Sequence, residues 1–231
     1  MKVIPAPSKN FGDRKDGKAV KYLVLHYTDT RDVKETLGML QGEREASAHY
    51  VVDTDGAIYG VVDESMRAWH AGLSSWEDEA DINSTSIGIE IQNGGHLYGP
   101  VPFPAAQMAA VTELCKAIIA KHGIKPWHVI GHSDIAPLRK KDPGELFPWQ
   151  SLAADGVGIW PDVTAADRDV VSDIAQLLSR YGYDKRTDIN ALMTAFQRHF
   201  QPESFTAPDT CAPPDDETLA RLAALVRQKG R

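Results

Sequence analysis

The sequence predicts a mixed α/β protein: a central, mostly β sheet covered by helices, followed by a small C-terminal domain of three helices. Three observations lead there. β-branched runs bounded by turn residues recur up to about residue 161, one long amphipathic helix sits among them, and only helical patterns follow Trp160-Pro161. A chain of 231 residues suits one catalytic-sized unit and a smaller one, with the boundary placed at residue 163, giving domains 1–163 and 164–231.

Ala19 to Tyr27 is too apolar for an exposed edge and predicts a buried strand with His26 near its end. Asp32 to Arg44 carries Val33, Leu37 and Leu40 at helical spacing, and Thr54-Asp55-Gly56 joins Ala48–Asp53 to Ala57–Asp63 as a hairpin. In Ser86 to Gln92, three isoleucines alternate with Gly88, Glu90 and Gln92, so Glu90 points away from the isoleucine face. Pro104 opens a helix with an apolar stripe of Met108, Val111, Cys115, Ile118 and Ile119, and Gly123 stops it. Cys115 is then core. Trp127 to Gly131 predicts a short strand, and Asp134 to Trp149 a Pro/Gly-punctuated loop too long for a plain connection. Beyond it, helices are expected over Ala165–Tyr181, Asp188–Phe200 and Asp216–Gln228, broken by Gly182 and by Ala207–Pro214. Such a short bundle is marginal alone and is expected to pack on the first domain.

Thirty-two acidic against 25 basic residues leave a net charge of −7, which offers no basic footprint, and no nucleic-acid partner is expected. With 42% hydrophobic and 25% charged residues the chain can build a core. It contains no apolar run of membrane-spanning length. Met1 to Val20 lacks the apolar stretch of a signal peptide, so a cytoplasmic location is expected, with a periplasmic or envelope-anchored one the alternative if a native signal precedes this sequence. Cys115 and Cys211 make neither a disulfide framework nor a paired metal motif. A monomer is expected.

Any one of the eight histidines is ordinarily structural, so constellations carry more weight than counts. A site that gathers the end of the first buried strand with both ends of the long loop brings His26, His132 and Asp142 together. Two imidazoles and a carboxylate are a three-ligand zinc set that leaves one position open for water. His128 and His132 form a rival pair four residues apart. In a strand that spacing is roughly 13 Å, at about 3.3 Å per residue, too far for one ion, and His128 is read as structural.

Leu25-His26-Tyr27, Ser47-Ala48-His49-Tyr50, Ala68-Trp69-His70-Ala71-Gly72, Ser86-Ile87-Gly88-Ile89-Glu90, Gly131-His132-Ser133-Asp134-Ile135-Ala136-Pro137 and Arg139-Lys140-Lys141-Asp142-Pro143-Gly144 stand in a specific order. Over about residues 19–161 the chain resembles the type 2 N-acetylmuramoyl-L-alanine amidases, zinc hydrolases whose fold is shared by peptidoglycan recognition proteins. Ala195 to Pro202 is similar to the helical, peptidoglycan-binding-like C-terminal domain of the longer members.

The resemblance implies Zn2+ held by His26, His132 and Asp142 at the strand ends. It implies a catalytic Glu90, which on a strand facing the metal can move a proton from water to the leaving nitrogen, and Lys140 as a cation for the oxyanion. Lys141 is read as an ordinary surface lysine. Trp69, His70 and Ala71 are expected to line the groove, with Tyr27 as a further substrate contact; a core role for Trp69 stays open. His49 either supports the site by a hydrogen bond or simply packs. The implied reaction cuts the amide between the lactyl group of (anhydro-)N-acetylmuramic acid and L-alanine of the stem peptide, in muropeptides or peptidoglycan. Short cytoplasmic relatives recycle anhydro-muropeptides, whereas longer tailed ones are often exported and accept polymeric murein. Recycling is the expected role, an envelope amidase or autolysin the alternative. A recognition protein that binds without cutting is the other class, and the intact His26, His132, Asp142 and Glu90 speak against it.

Overall fold

The computed structural model describes residues 1–170 and 172–230. Its strands and helices, in chain order, are β1 (Val3–Pro5), β2 (Phe11–Gly12), β3 (Tyr22–Tyr27), α1 (Val33–Gln41), β4 (Tyr50–Val52), β5 (Ile58–Gly60), β6 (Arg67–Ala68), α2 (Ile82–Thr85), β7 (Ser86–Ile91), α3 (Gly95–Tyr98) and α4 (Ala105–His122). There follow β8 (Val129–Gly131), α5 (His132–Ile135), α6 (Trp149–Ala154), α7 (Ala165–Arg168), α8 (Ile174–Tyr181), α9 (Ile189–Phe200), β9 (Phe205–Ala207), β10 (Thr210–Cys211) and α10 (Asp216–Lys229). Six strands form the central sheet in the order β1-β5-β4-β7-β3-β8, parallel throughout except for the β4–β5 hairpin. This is the mixed α/β architecture the sequence predicts.

Strand alternation decides what each face of the sheet does. Leu23 and Leu25 of β3 join Ile87, Ile89 and Ile91 of β7 against Val111, Leu114, Cys115 and Ile118 of α4. Pro104 precedes α4, and Gly123, at φ 66°, ends it in the left-handed conformation that a Cβ disfavours. The opposite face of β3 carries Tyr22, Val24 and then His26. Tyr22 and Val24 belong to a cluster that includes Ile130 and Ile135 of the first segment and Leu178, Tyr181, Phe196, Phe200 and Leu225 of the C-terminal one. The tail therefore completes the core on this side of the sheet.

Three expectations change. The helix expected over Ala165–Tyr181 is two, α7 and α8, because Asp173 turns its carboxylate onto the Ala175 N–H at 2.8 Å and restarts the helix; residue 171, within the expected span, lies outside the described residues. The tail is also not purely helical, since β9 and β10 pair as a small hairpin before α10. Trp127 and His128 lie in a 3-10 turn opened by Pro126, so the strand begins at Val129. Strands β1, β2 and β6, of two or three residues each, were not foreseen.

His49 is fully buried and supports the sheet. Its Nδ1 accepts from the Gly88 N–H at 2.9 Å, which leaves Nε2 to donate to the Met66 carbonyl at 3.2 Å. Burial holds its imidazole down to about 3, against an ordinary 6.5. The folded chain thus takes up this proton less readily than the unfolded one, so the contribution of His49 is full above pH 6.5 and is lost as the pH falls toward 3. His49→Gln is expected to lower the Tm near neutrality. The gap from the parent protein should narrow across that window, as followed by thermal melts at stepped pH.

Candidate active site

Three adjacent parallel strands bring the chemistry to one end of the sheet. His26 stands opposite Glu90 in the β3–β7 register, and His132 follows directly on β8, which flanks β3 on its other side. Each lies at or just past the carboxyl end of its strand, where open α/β sheets gather ligands. Asp142 arrives on the loop that returns past α5, whose Ser133 N–H donates to the Asp142 carbonyl at 2.9 Å.

His26 Nδ1, His132 Nδ1 and Asp142 Oδ2 form a buried triangle with sides of 2.9, 2.8 and 3.0 Å. The surrounding hydrogen bonds fix where the ring protons sit. Ser86 Oγ donates to the Ile82 carbonyl at 2.6 Å, so it accepts from His70 Nε2 at 3.1 Å. His70 Nδ1 then accepts from His26 Nε2 at 3.0 Å, and His26 Nδ1 is left as a bare lone pair. Independently, His132 Nε2 donates to the Ala71 carbonyl at 3.1 Å and leaves its own Nδ1 bare. Burial, then the neighbouring His132, hold the His26 imidazole down to about 4, in the neutral form that binds metal. Two lone pairs and a carboxylate oxygen converging at hydrogen-bond distance repel unless a cation sits among them. The donor set fits zinc, for which mixed His and carboxylate ligation with an open position is the catalytic pattern.

The triangle opens into a cavity of about 380 Å³. Glu90 lies on its wall, with Oε2 shielded from solvent and without a hydrogen-bond partner. Burial, reinforced by the Asp142 charge, pushes its carboxyl well above the ordinary value. Lys140, Trp69 and Tyr27 also face this cavity, and Tyr27 Oη is 2.9 Å from His96 Nδ1. The other two residues expected on the groove differ in placement. His70 touches the cavity, but it is buried and both its ring nitrogens are engaged by His26 and Ser86, so it orients His26. Ala71 is fully buried and off the cavity wall; its carbonyl fixes His132.

Sequence reasoning missed three supporting residues. Asn83 Oδ1 accepts the His70 and Ala71 N–H groups at 3.0 and 2.8 Å, and nothing in the sequence marks it. Ser86 and Gly88 lie on the Glu90 face of β7, and the alternation of that strand is a signal that finds them. A Cβ on Gly88 would lie 2.5 Å from His70 Cγ, so only glycine lets the imidazole lie flat on the strand. Gly88→Ala is expected to cost about 1–3 kcal/mol in a urea melt by overpacking, and to weaken zinc binding through the displaced His70.

The family model for N-acetylmuramoyl-L-alanine amidase matches residues 16–145, more than half of the chain. The chain belongs to this amidase family. Its reaction is therefore hydrolysis of the muramoyl–L-alanine amide. The amidase is 37% identical over 239 residues to the N-acetylmuramoyl-L-alanine amidase AmiD of Escherichia coli, covering 92% of this chain and 84% of that protein. The structure of that AmiD in complex with the substrate anhydro-N-acetylmuramic acid-L-Ala-D-gamma-Glu-L-Lys superposes with a TM-score of 0.78 at 36% identity, covering 96% of this chain and 99% of the other. AmpDh3 of Pseudomonas aeruginosa gives a TM-score of 0.80 at 34% identity, over 94% and 95% of the two chains. The likeness to the Escherichia coli 1,6-anhydro-N-acetylmuramyl-L-alanine amidase AmpD is 41% over 107 residues, only 45% of this chain and 54% of that one.

Proposed function

We propose that this amidase is a zinc enzyme that releases L-alanine-headed peptide from anhydro-muropeptides, a recycling reaction. The observation that carries the reading is the convergence of three metal-ligating atoms, His26 Nδ1, His132 Nδ1 and Asp142 Oδ2, beside the unpartnered Oε2 of Glu90. Whole-chain likeness to a protein solved with an anhydro-N-acetylmuramic acid peptide supports the substrate class. Zinc held by the three donors supplies Lewis acidity toward the carbonyl oxygen and lowers the pKa of water.

The chain's own residues do the rest. Glu90 accepts a proton as water oxygen bonds to the lactyl carbonyl carbon. Because burial favours its neutral form, it then holds that proton until the C–N bond breaks and the L-alanine nitrogen takes it. Lys140 places an ammonium on the cavity wall for the negative oxygen of the tetrahedral intermediate. Trp69 and Tyr27 present aromatic surface to the sugar and peptide. The products are a lactyl carboxylate and a free L-alanine amine.

Mass spectrometry after incubation with 1,6-anhydro-muropeptide and, separately, with intact sacculi tests this. Release of L-alanine-headed peptide from the soluble substrate alone is the expected result. Release from both identifies an amidase of polymeric murein. Release from neither, with zinc bound, overturns the catalytic reading. No helix among the described residues is long and apolar enough to cross a membrane, and a cytoplasmic site of action is proposed on the strength of the recycling reaction.

A further inference from the structure

Segment 131–145 carries two of the three converging donors, and both of its ends are tied to one helix of the tail. At the start, the buried Asp134 carboxylate accepts the Gly131 N–H at 2.7 Å, fixing the backbone turn from which His132 projects. The same oxygen lies 2.7 Å from His199 Nδ1 of α9. The other Asp134 oxygen accepts from Tyr183 Oη, also at 2.7 Å. The His199 ring is stacked between Trp149 and Phe200, each centroid 3.7 Å away, so its direction is set on both faces. At the far end, three residues beyond Asp142, buried Glu145 meets Arg198 Nε of α9 at 3.3 Å. The neighbouring Lys141 pairs with Asp209 of the tail hairpin at 2.6 Å.

We infer that α9 acts as a clamp on the metal site: His199 and Arg198, adjacent in sequence, hold the two ends of the segment that presents His132 and Asp142. They are positioning residues acting through Asp134 and Glu145. The tail then works on the reaction from the side of the sheet opposite α4, whatever else it binds. This inference rests on the reading of His26, His132 and Asp142 as zinc ligands. Its physical basis is that outer groups holding ligands in orientation are commonly worth 10- to 100-fold in metal affinity.

The test uses the full chain and measures zinc affinity by competition with a chromogenic chelator, alongside the Tm of the metal-free protein. His199→Phe keeps the aromatic stack and removes the donor, Tyr183→Phe removes only a hydroxyl, and Arg198→Met keeps the apolar stem. Each is expected to weaken zinc binding by about 10-fold or more, with His199→Asn, which restores a side-chain N–H, recovering part of the loss. The control is Leu225→Ala in α10, a truncation in the same core cluster as Tyr183 and Phe200 that removes no hydrogen bond or ion pair to the segment. It should lower the Tm of the metal-free protein and leave zinc affinity unchanged. Clamp variants that bind zinc as the parent does, or a control that weakens zinc as much as they do, overturn the inference. A parent protein that takes up no zinc overturns the metal reading itself, which separates the two failures. If His199→Phe does not fold, Arg198→Met decides, and unchanged zinc affinity in that variant overturns the inference.

Discussion

Glu90→Gln is expected to lower kcat on a soluble anhydro-muropeptide by about 10²- to 10⁴-fold, the usual worth of a positioned acid–base group. Zinc content should be unchanged. The substitution keeps size and shape but removes the group able to shuttle a proton, and Oε2 makes no hydrogen bond whose loss would disturb the fold. Because the change acts on proton transfer, KM should move little and most of the effect should fall on kcat. The decisive measurement is a progress curve on protein of verified zinc stoichiometry. Turnover near that of the parent, with metal in place, would remove Glu90 from the mechanism.

Removing a ligand should act on metal first and on rate as a consequence. His132→Ala and Asp142→Ala are each expected to reduce zinc affinity by more than the roughly 10- to 100-fold that outer groups cost, and to abolish measurable hydrolysis at substoichiometric zinc. Chelation of the parent protein should abolish hydrolysis reversibly, and readdition of zinc should restore it. Metal should also raise the melting temperature, since a ligand bound only by the folded state stabilises it by mass action, about 2.7 kcal/mol at a hundredfold excess over Kd. A zinc-dependent rise in Tm that survives loss of His132 would place the metal elsewhere.

Much of this site was visible in the residues themselves. The run Tyr22–Tyr27 reads as a buried strand because its side chains are apolar on both faces, and Glu90 stands out as the one carboxylate in the alternating strand Ser86–Ile91. What brought His26, His132 and Asp142 from a possible set to a specific one was the resemblance, because spacing cannot show that β8 inserts beside β3 across more than a hundred residues. The supporting shell was harder to see. Asn83, Ser86 and Asp134 act through hydrogen bonds to backbone and ring nitrogens that exist only once distant segments meet. His70 lines the cavity as the sequence suggests, but the engagement of both its ring nitrogens by His26 and Ser86 was not legible. In the tail, helical patterning was legible, but the restart at Asp173 and the β9–β10 hairpin depend on local capping and pairing that short apolar runs do not announce.

The donors meet across 116 residues of chain, and that separation sets a timetable for biosynthesis. At about 5–20 residues per second on the ribosome, Asp142 emerges roughly 6 to 23 s after His26, and the residues that brace it come later still. Through that interval a nascent chain offers isolated imidazoles, which compete poorly for any ion. A metal site built from all three donors therefore cannot exist before Asp142 has been made, about three fifths of the way along the chain.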